Sequence, residues 1–139
     1  MKAPNTILTI ILVYLSISGC QKAGESSSRN EKLILGKWNM ITSTSIYQSQ
    51  GQYKTEISSY KNGSWTSFDD KGNVIEYSAF NTGGVFVEAR ALYSIYDNKI
   101  IFKTNATQSD TLNIDLLTKN SLKISNSEDN WSLIIDYTK

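Results

Sequence analysis

From residue 33 onward, apolar and polar side chains alternate with a period of two along most of the chain. Leu112, Ile114 and Leu116, for example, share one side of a run and have polar residues between them. Such alternation is typical of strands with one dry and one wet face. Turn sequences at short spacing separate the runs, and Asn62-Gly63 suits a tight hairpin. The pattern predicts nine strands, near residues 35–46, 52–60, 64–69, 73–80, 85–95, 99–105, 110–117, 121–126 and 130–137.

Many antiparallel strands in so small a domain must remove their exposed edges. They do so by closing into a barrel or by folding into two packed sheets. We therefore predict an all-β fold over residues 33–139, a small antiparallel up-and-down β-barrel of about eight strands. A β-sandwich is the alternative.

The first 19 residues follow a different pattern. Lys2 precedes an apolar run over residues 7–17, and the small residues Ser18 and Gly19 follow. The run is too short to span a bilayer core of about 30 Å, which takes about 20 residues. Residues 1–19 are therefore predicted to be a signal peptide.

Charge and composition narrow the function classes. Without Lys2, 13 basic and 13 acidic side chains remain, a balance that argues against a nucleic-acid partner. The chain has no histidine and a single cysteine, which removes His-dependent nucleophiles and the usual zinc ligand sets. We expect no enzyme, no catalytic residue, no metal site and no cofactor.

The end of the signal peptide resembles the lipobox of bacterial lipoproteins, here Ile17-Ser18-Gly19-Cys20. The resemblance implies cleavage before Cys20 and lipidation of its thiol and new amino group, so that the membrane becomes a partner through a lipid anchor. Gln21 instead of aspartate favours the outer membrane of the cell envelope, with the periplasmic or surface face left open. Residues 20–32 are polar and aperiodic, which predicts a flexible tether after the lipidated cysteine.

The opening of the domain, Leu-Gly-Lys-Trp with Gly36 and Trp38, resembles the Gly-x-Trp start of lipocalins. The order of later motifs over residues 33–138 resembles the lipocalin-like domain lipoproteins of Bacteroidota. These motifs are Phe-Asp-Asp-Lys-Gly at 68–72 and the aromatic strand with an Asp-Asn turn at 93–100. Larger lipocalins carry an arginine near the end that packs over the first-strand tryptophan, whereas the end of this chain offers Lys139.

A barrel of about eight strands encloses either its own side chains or one small ligand. Tyr77, Tyr93, Phe102 and Trp131 are candidates for a cavity wall, and the alternative is that the aromatic residues fill the interior. Trp38 is expected to plug the closed end rather than to floor a cavity. The sequence is compatible with two functions. The first is that of a monomeric, membrane-anchored lipocalin-like lipoprotein that binds a small hydrophobic or amphipathic ligand. The alternative is a protein-binding envelope module, such as an inhibitor or surface accessory, with a solid barrel core.

Overall fold

A computed structural model of the protein describes residues 23–139, with side chains from residue 27 onward. The predicted signal peptide, with Ile17, Ser18 and Gly19, and the predicted lipidation residue Cys20 lie outside the described residues. The elements are one helix, α1 (Ala23–Ile34), and nine strands: β1 (Gly36–Ser49), β2 (Gln52–Ser59), β3 (Trp65–Phe68), β4 (Asn73–Ser78), β5 (Val87–Tyr96), β6 (Lys99–Lys103), β7 (Ser109–Leu117), β8 (Ser121–Glu128) and β9 (Trp131–Thr138).

The sheet closes on itself because its first and last barrel strands pair. One edge of β1 pairs antiparallel with β9 from Asn39 to Tyr47. The other edge pairs first with β3 and then with the hairpin partner β2, and β3 to β9 follow one another as antiparallel neighbours. The predicted all-β, up-and-down barrel is confirmed: β1 and β3–β9 form eight barrel strands and β2 is an extra one. The pairing of β1 with β9 rules out the sandwich, which leaves sheet edges open.

A β-bulge in β1 changes which side chains face the interior. Met40 pairs with Tyr137, but the next pair is Thr42 with Asp136, so Ile41 is the extra residue. Thr42 therefore faces outward, where its hydroxyl donates to Asp136 Oδ2 at 3.2 Å. Simple alternation from Trp38 would have placed Thr42 inside.

One end of the barrel is packed solid. Its fully buried side chains include Trp38, Phe68, Ile34, Ile100 and Leu122. The Trp38 indole Nε1 donates to the carbonyl of Ile34 at 2.6 Å, which ties β1 to the end of α1. Gly36 stands between these elements with φ of +101°, a backbone conformation that glycine adopts without strain. Trp38 thus plugs this end, as the sequence predicts.

The flexible tether expected for residues 20–32 is wrong from Ala23 onward, where the chain forms α1. A helix of 12 residues is marginal by itself, so contacts with the barrel must stabilise it. Ser27 Oγ donates to the carbonyl of Ile95 at 3.2 Å, and Asn30 Nδ2 donates to the carbonyl of Asp97 at 3.1 Å. Hydrophobic periodicity does not predict such polar contacts, and for this reason the segment resembles a tether in sequence. α1 closes the solid end of the barrel.

Candidate ligand-binding cavity

The other half of the barrel is hollow. A cavity of about 410 Å³ lies between the inner faces of β3 to β9. Its apolar wall comes from inward-facing residues of four strands: Phe102, Leu112, Ile124, Trp131, Leu133 and Ile135. Trp131 is 38% exposed, so the cavity reaches solvent at the end opposite α1.

Small side chains on β5 leave the space unfilled. Ala89 and Ala91 alternate inward and line the cavity, opposite Glu76 and Val74 of β4. An alanine side chain ends at Cβ and therefore does not fill the interior as a larger residue would. The barrel interior is thus filled at the level of Trp38 and open between Trp38 and the end near Trp131.

The wall also has a gap on its side. Pairing between β5 and β6 stops at Leu92 and Lys103, and the β6–β7 loop closes on itself through the Thr104 amide and the Gln108 carbonyl at 3.3 Å. A surface groove of about 660 Å³ lies over this gap, and Arg90, Ala91 and Thr104 border both groove and cavity. The groove and the cavity are therefore neighbours at this side of the barrel.

Polar groups stand among the apolar walls. Glu76, Asp110, Asn126 and Thr66 all line the cavity. Glu76 is half-buried, and its Oε1 accepts a hydrogen bond from Ser78 Oγ at 2.6 Å. Asp110 is exposed and pairs in register with the inward-facing Phe102. An apolar pocket with a few placed polar groups is typical of small-molecule sites.

The negative charge of Glu76 contributes to the raised pKa values of two tyrosines. Burial, followed by the negative charge of Glu76, raises the pKa of Tyr60 to about 12. The same two causes, in the same order, raise the pKa of the buried Tyr137 phenol. The Thr66 hydroxyl lies close enough to lower the pKa of that phenol slightly, yet Thr66 Oγ1 has no hydrogen-bond partner of acceptable geometry. Both phenols therefore stay neutral beside the Glu76 carboxyl over the physiological pH range.

The predicted wall residues fall in three places. Phe102 and Trp131 lie on the cavity wall. Tyr93 faces the interior below the cavity, where its ring packs edge-on against Phe68 with centroids 5.0 Å apart. Its hydroxyl donates to the Asp69 carbonyl at 2.7 Å, so Tyr93 belongs to the solid end and not to the wall.

The expectation for Tyr77 is wrong because this position of β4 alternates outward. Tyr77 is in register with Trp65 on one side and Glu88 on the other. Its ring stacks on Phe86 with centroids 4.7 Å apart, outside the barrel. Glu88 also faces outward and forms an exposed ion pair with Arg90 at 2.8 Å.

Sequence reasoning missed the polar residues inside. In β4, Ile75 and Tyr77 make one face more apolar than the face of Val74 and Glu76, so alternation alone assigns the wrong face to the interior. The register with buried Thr66 places Glu76 inside. No signal in the β4 sequence itself identifies this orientation.

Comparison of the chain with protein-family models, with curated proteins and with solved structures finds no match. Within residues 23–139, no helix is both long and apolar enough to cross a membrane. In the same part of the chain, no group of three or more cysteine or carboxylate side chains is arranged to hold a metal ion.

Proposed function

We propose that the protein is a membrane-anchored, lipocalin-like lipoprotein of the cell envelope that binds a small hydrophobic or amphipathic molecule inside its barrel. The observation that carries the proposal is the cavity of about 410 Å³ above the Trp38 plug. Ligand pockets in proteins have volumes of about 300–1,000 Å³.

The chemistry of the wall favours an amphipathic ligand. Phe102, Leu112 and Leu133 offer apolar surface, and an alkyl or ring system gains about 25 cal/mol for each Å² that it removes from water there. Glu76 and Thr66 add polar atoms at the same cavity, which a purely hydrocarbon ligand would leave unsatisfied.

The same observation weighs against the alternative of a protein-binding module with a solid core. The interior is solid only from α1 to the level of Trp38 and Phe68. The two small residues Ala89 and Ala91 keep the other half open, which a structural barrel core does not require.

The proposed anchor fits the position of α1. Ala23 begins α1 three residues after Cys20, and the side chain of Asn30 in α1 hydrogen-bonds to the solid end. A lipid on Cys20 would hold this end toward the membrane and leave the mouth near Trp131 facing away. Cys20→Ser should abolish signal cleavage and membrane retention in cell fractions. Unchanged processing and retention would contradict the anchor.

Ligand binding is tested with the full chain in lipid nanodiscs and the neutral fluorescent probe N-phenylnaphthylamine. Ala89→Trp fills the cavity and should abolish saturable binding. Thr111→Trp adds the same side chain at an exposed outward position of β7 and should leave binding unchanged. Equal binding to both variants would place the probe outside the cavity and contradict the proposal.

A further inference from the structure

We infer that the cavity selects amphiphiles with a cationic head group, of the primary-ammonium class, and that Glu76 binds this head group. The inference rests on the proposed ligand-binding function and specifies its ligand. It depends on three observations: the charge of the wall, an unsatisfied polar atom in it, and the free oxygen of Glu76.

The wall carries negative charge without a balancing cation. Ion pairs among residues 27–139 join Arg90 with Glu88 and Lys123 with Asp136, and neither involves Glu76 or Asp110. Arg90 borders the cavity at its side gap, but its side chain is 70% exposed and its guanidinium is bound to Glu88. The cavity therefore presents carboxylates to its contents and no free positive group.

A second observation points to a missing hydrogen-bond partner. Thr66 is 3% exposed and lines the cavity, and its buried Oγ1 lies near the Tyr137 phenol without a hydrogen bond of acceptable geometry. A buried polar atom without a hydrogen bond is destabilising, so a ligand that supplied one would gain affinity. Thr66 is the direct cross-strand neighbour of Glu76, so a χ1 rotation of Thr66 would present its hydroxyl to a group bound at Glu76.

The acceptors match an ammonium group. Ser78 Oγ donates a hydrogen bond to Oε1 of Glu76, and no described residue donates to the second carboxylate oxygen. An ammonium has three donors and no acceptor, so it can bind this oxygen, and Thr66 Oγ1 as well once that side chain turns toward it. A carboxylate ligand would meet like charge at Glu76, and an alcohol would gain a hydrogen bond without the charge.

The head group would lie deep in the cavity and the chain would point toward the mouth. Glu76 is half-buried beside Thr66, which is in register with the plug residue Trp38. The apolar residues Leu133 and Trp131 continue the wall toward solvent. Exposed Asp110 adds negative charge near the opening and should help less than Glu76.

The test compares three ligands with the same ten-carbon chain: decylamine, decanol and decanoate. Each displaces N-phenylnaphthylamine from the full chain in zwitterionic nanodiscs, with empty discs subtracted. Decylamine should bind at least about tenfold more tightly than decanol, and decanoate most weakly. Glu76→Gln should remove the advantage of decylamine over decanol. Asp110→Asn should reduce the advantage by a smaller factor, and Glu31→Gln on α1 makes the same chemical change at the solid end and should have no effect.

Each outcome decides between the two proposals. If decanol and decanoate bind as tightly as decylamine, or Glu76→Gln leaves the preference intact, the cationic preference is wrong while the ligand-binding function stands. If none of the three displaces the probe, or the probe itself does not bind, both proposals fail.

Discussion

The Nζ atom of Lys139 lies 4.3 Å from the centroid of the Trp38 ring. The same ammonium donates to the carbonyls of Leu35 at 2.9 Å and Leu33 at 3.3 Å, at the end of α1. One residue at the end of the chain therefore holds the plug, the helix and the first strand together.

Lys139→Ala should lower the free energy of unfolding by about 1 kcal/mol because it removes the cation–π contact and two hydrogen bonds. Lys139→Arg should retain most of this stability, since a guanidinium also stacks on an indole. Urea unfolding followed by circular dichroism measures both. Lys54→Ala, an exposed lysine on β2 at the other end, is the control. Equal effects of Lys139→Ala and Lys54→Ala would show that the contact contributes nothing.

Asn30→Ala should loosen α1 from the barrel. The Asn30 side chain is buried and donates to the Asp97 carbonyl at 3.1 Å and to Asn98 Oδ1 at 3.2 Å. Without these bonds, trypsin should cut after Arg29 and Lys32 at least several-fold faster, because a protease needs the helix to open locally. Ser28→Ala, an exposed position of α1, should leave the cleavage rate unchanged. Rapid cleavage of the unmodified protein would contradict a docked helix.

Asp69 should make the protein sensitive to acid. Its carboxylate accepts hydrogen bonds from Asn73 Nδ2 and from the Asn73 amide, both at 2.7 Å, and from the Lys71 amide at 2.9 Å. These bonds, led by the side chain of Asn73, lower the pKa of Asp69 below its ordinary value of 3.8. A lowered pKa stabilises the fold above the ordinary value, and the contribution is lost as pH falls through the folded-state pKa.

Asp69→Asn should therefore be less stable than the unmodified protein near about pH 7, and the difference should shrink toward about pH 3. Chemical unfolding at a series of pH values measures this. Asp70→Asn, at the exposed neighbouring position, is the control. A difference that stays constant with pH would mean that the charge of Asp69 has no part in holding the β3–β4 turn.

Glu76→Gln should lower the pKa of two tyrosines. The raised pKa of Tyr60, about 12, and that of Tyr137 are due first to burial and then to the charge of Glu76. A raised tyrosine pKa stabilises the fold below the ordinary value of 10.0, and this stability is lost as pH rises through the folded-state pKa. The variant should keep both values above 10.0, since burial remains, but bring them closer to it.

Ultraviolet absorbance of the phenolates during alkaline titration measures this shift. Glu56→Gln is a matched control, because Glu56 accepts a hydrogen bond from Tyr47 at 2.5 Å and raises the pKa of that tyrosine instead. If Glu56→Gln and Glu76→Gln change the same part of the titration, Glu76 does not face Tyr60 and Tyr137.

Much of the barrel can be predicted from the sequence because strand periodicity and turn residues are local signals. All nine strands occur close to their predicted ranges. Two features could not be predicted from local sequence: the helix α1 and the inward orientation of Ser43, which follows the β1 bulge and is buried. Both depend on contacts between distant parts of the chain.

The cavity can be predicted from the sequence only in part, because it too depends on pairing between distant strands. Trp131 stands between Asn130 and Ser132, so its inward orientation follows from period two, whereas Phe102 follows Ile101 and its orientation depends on strand register. Glu76 lies inside only because β4 is in register with Thr66 of β3, and the more apolar face of β4 packs outside against Trp65 and Phe86. Strand register depends on the whole sheet, and one shifted residue exchanges the two faces.

The central claim, a ligand inside the barrel, is tested most directly by the fluorescence of Trp131. This is the one of the three tryptophans that lines the cavity; Trp38 is the buried plug, and Trp65 lies outside under Lys37. Decanol carrying bromine on its chain quenches an indole that it touches. We predict saturable quenching of one site per chain that is lost in Trp131→Phe and kept in Trp65→Phe. Quenching that never saturates, or that persists in Trp131→Phe, would contradict a ligand in the cavity.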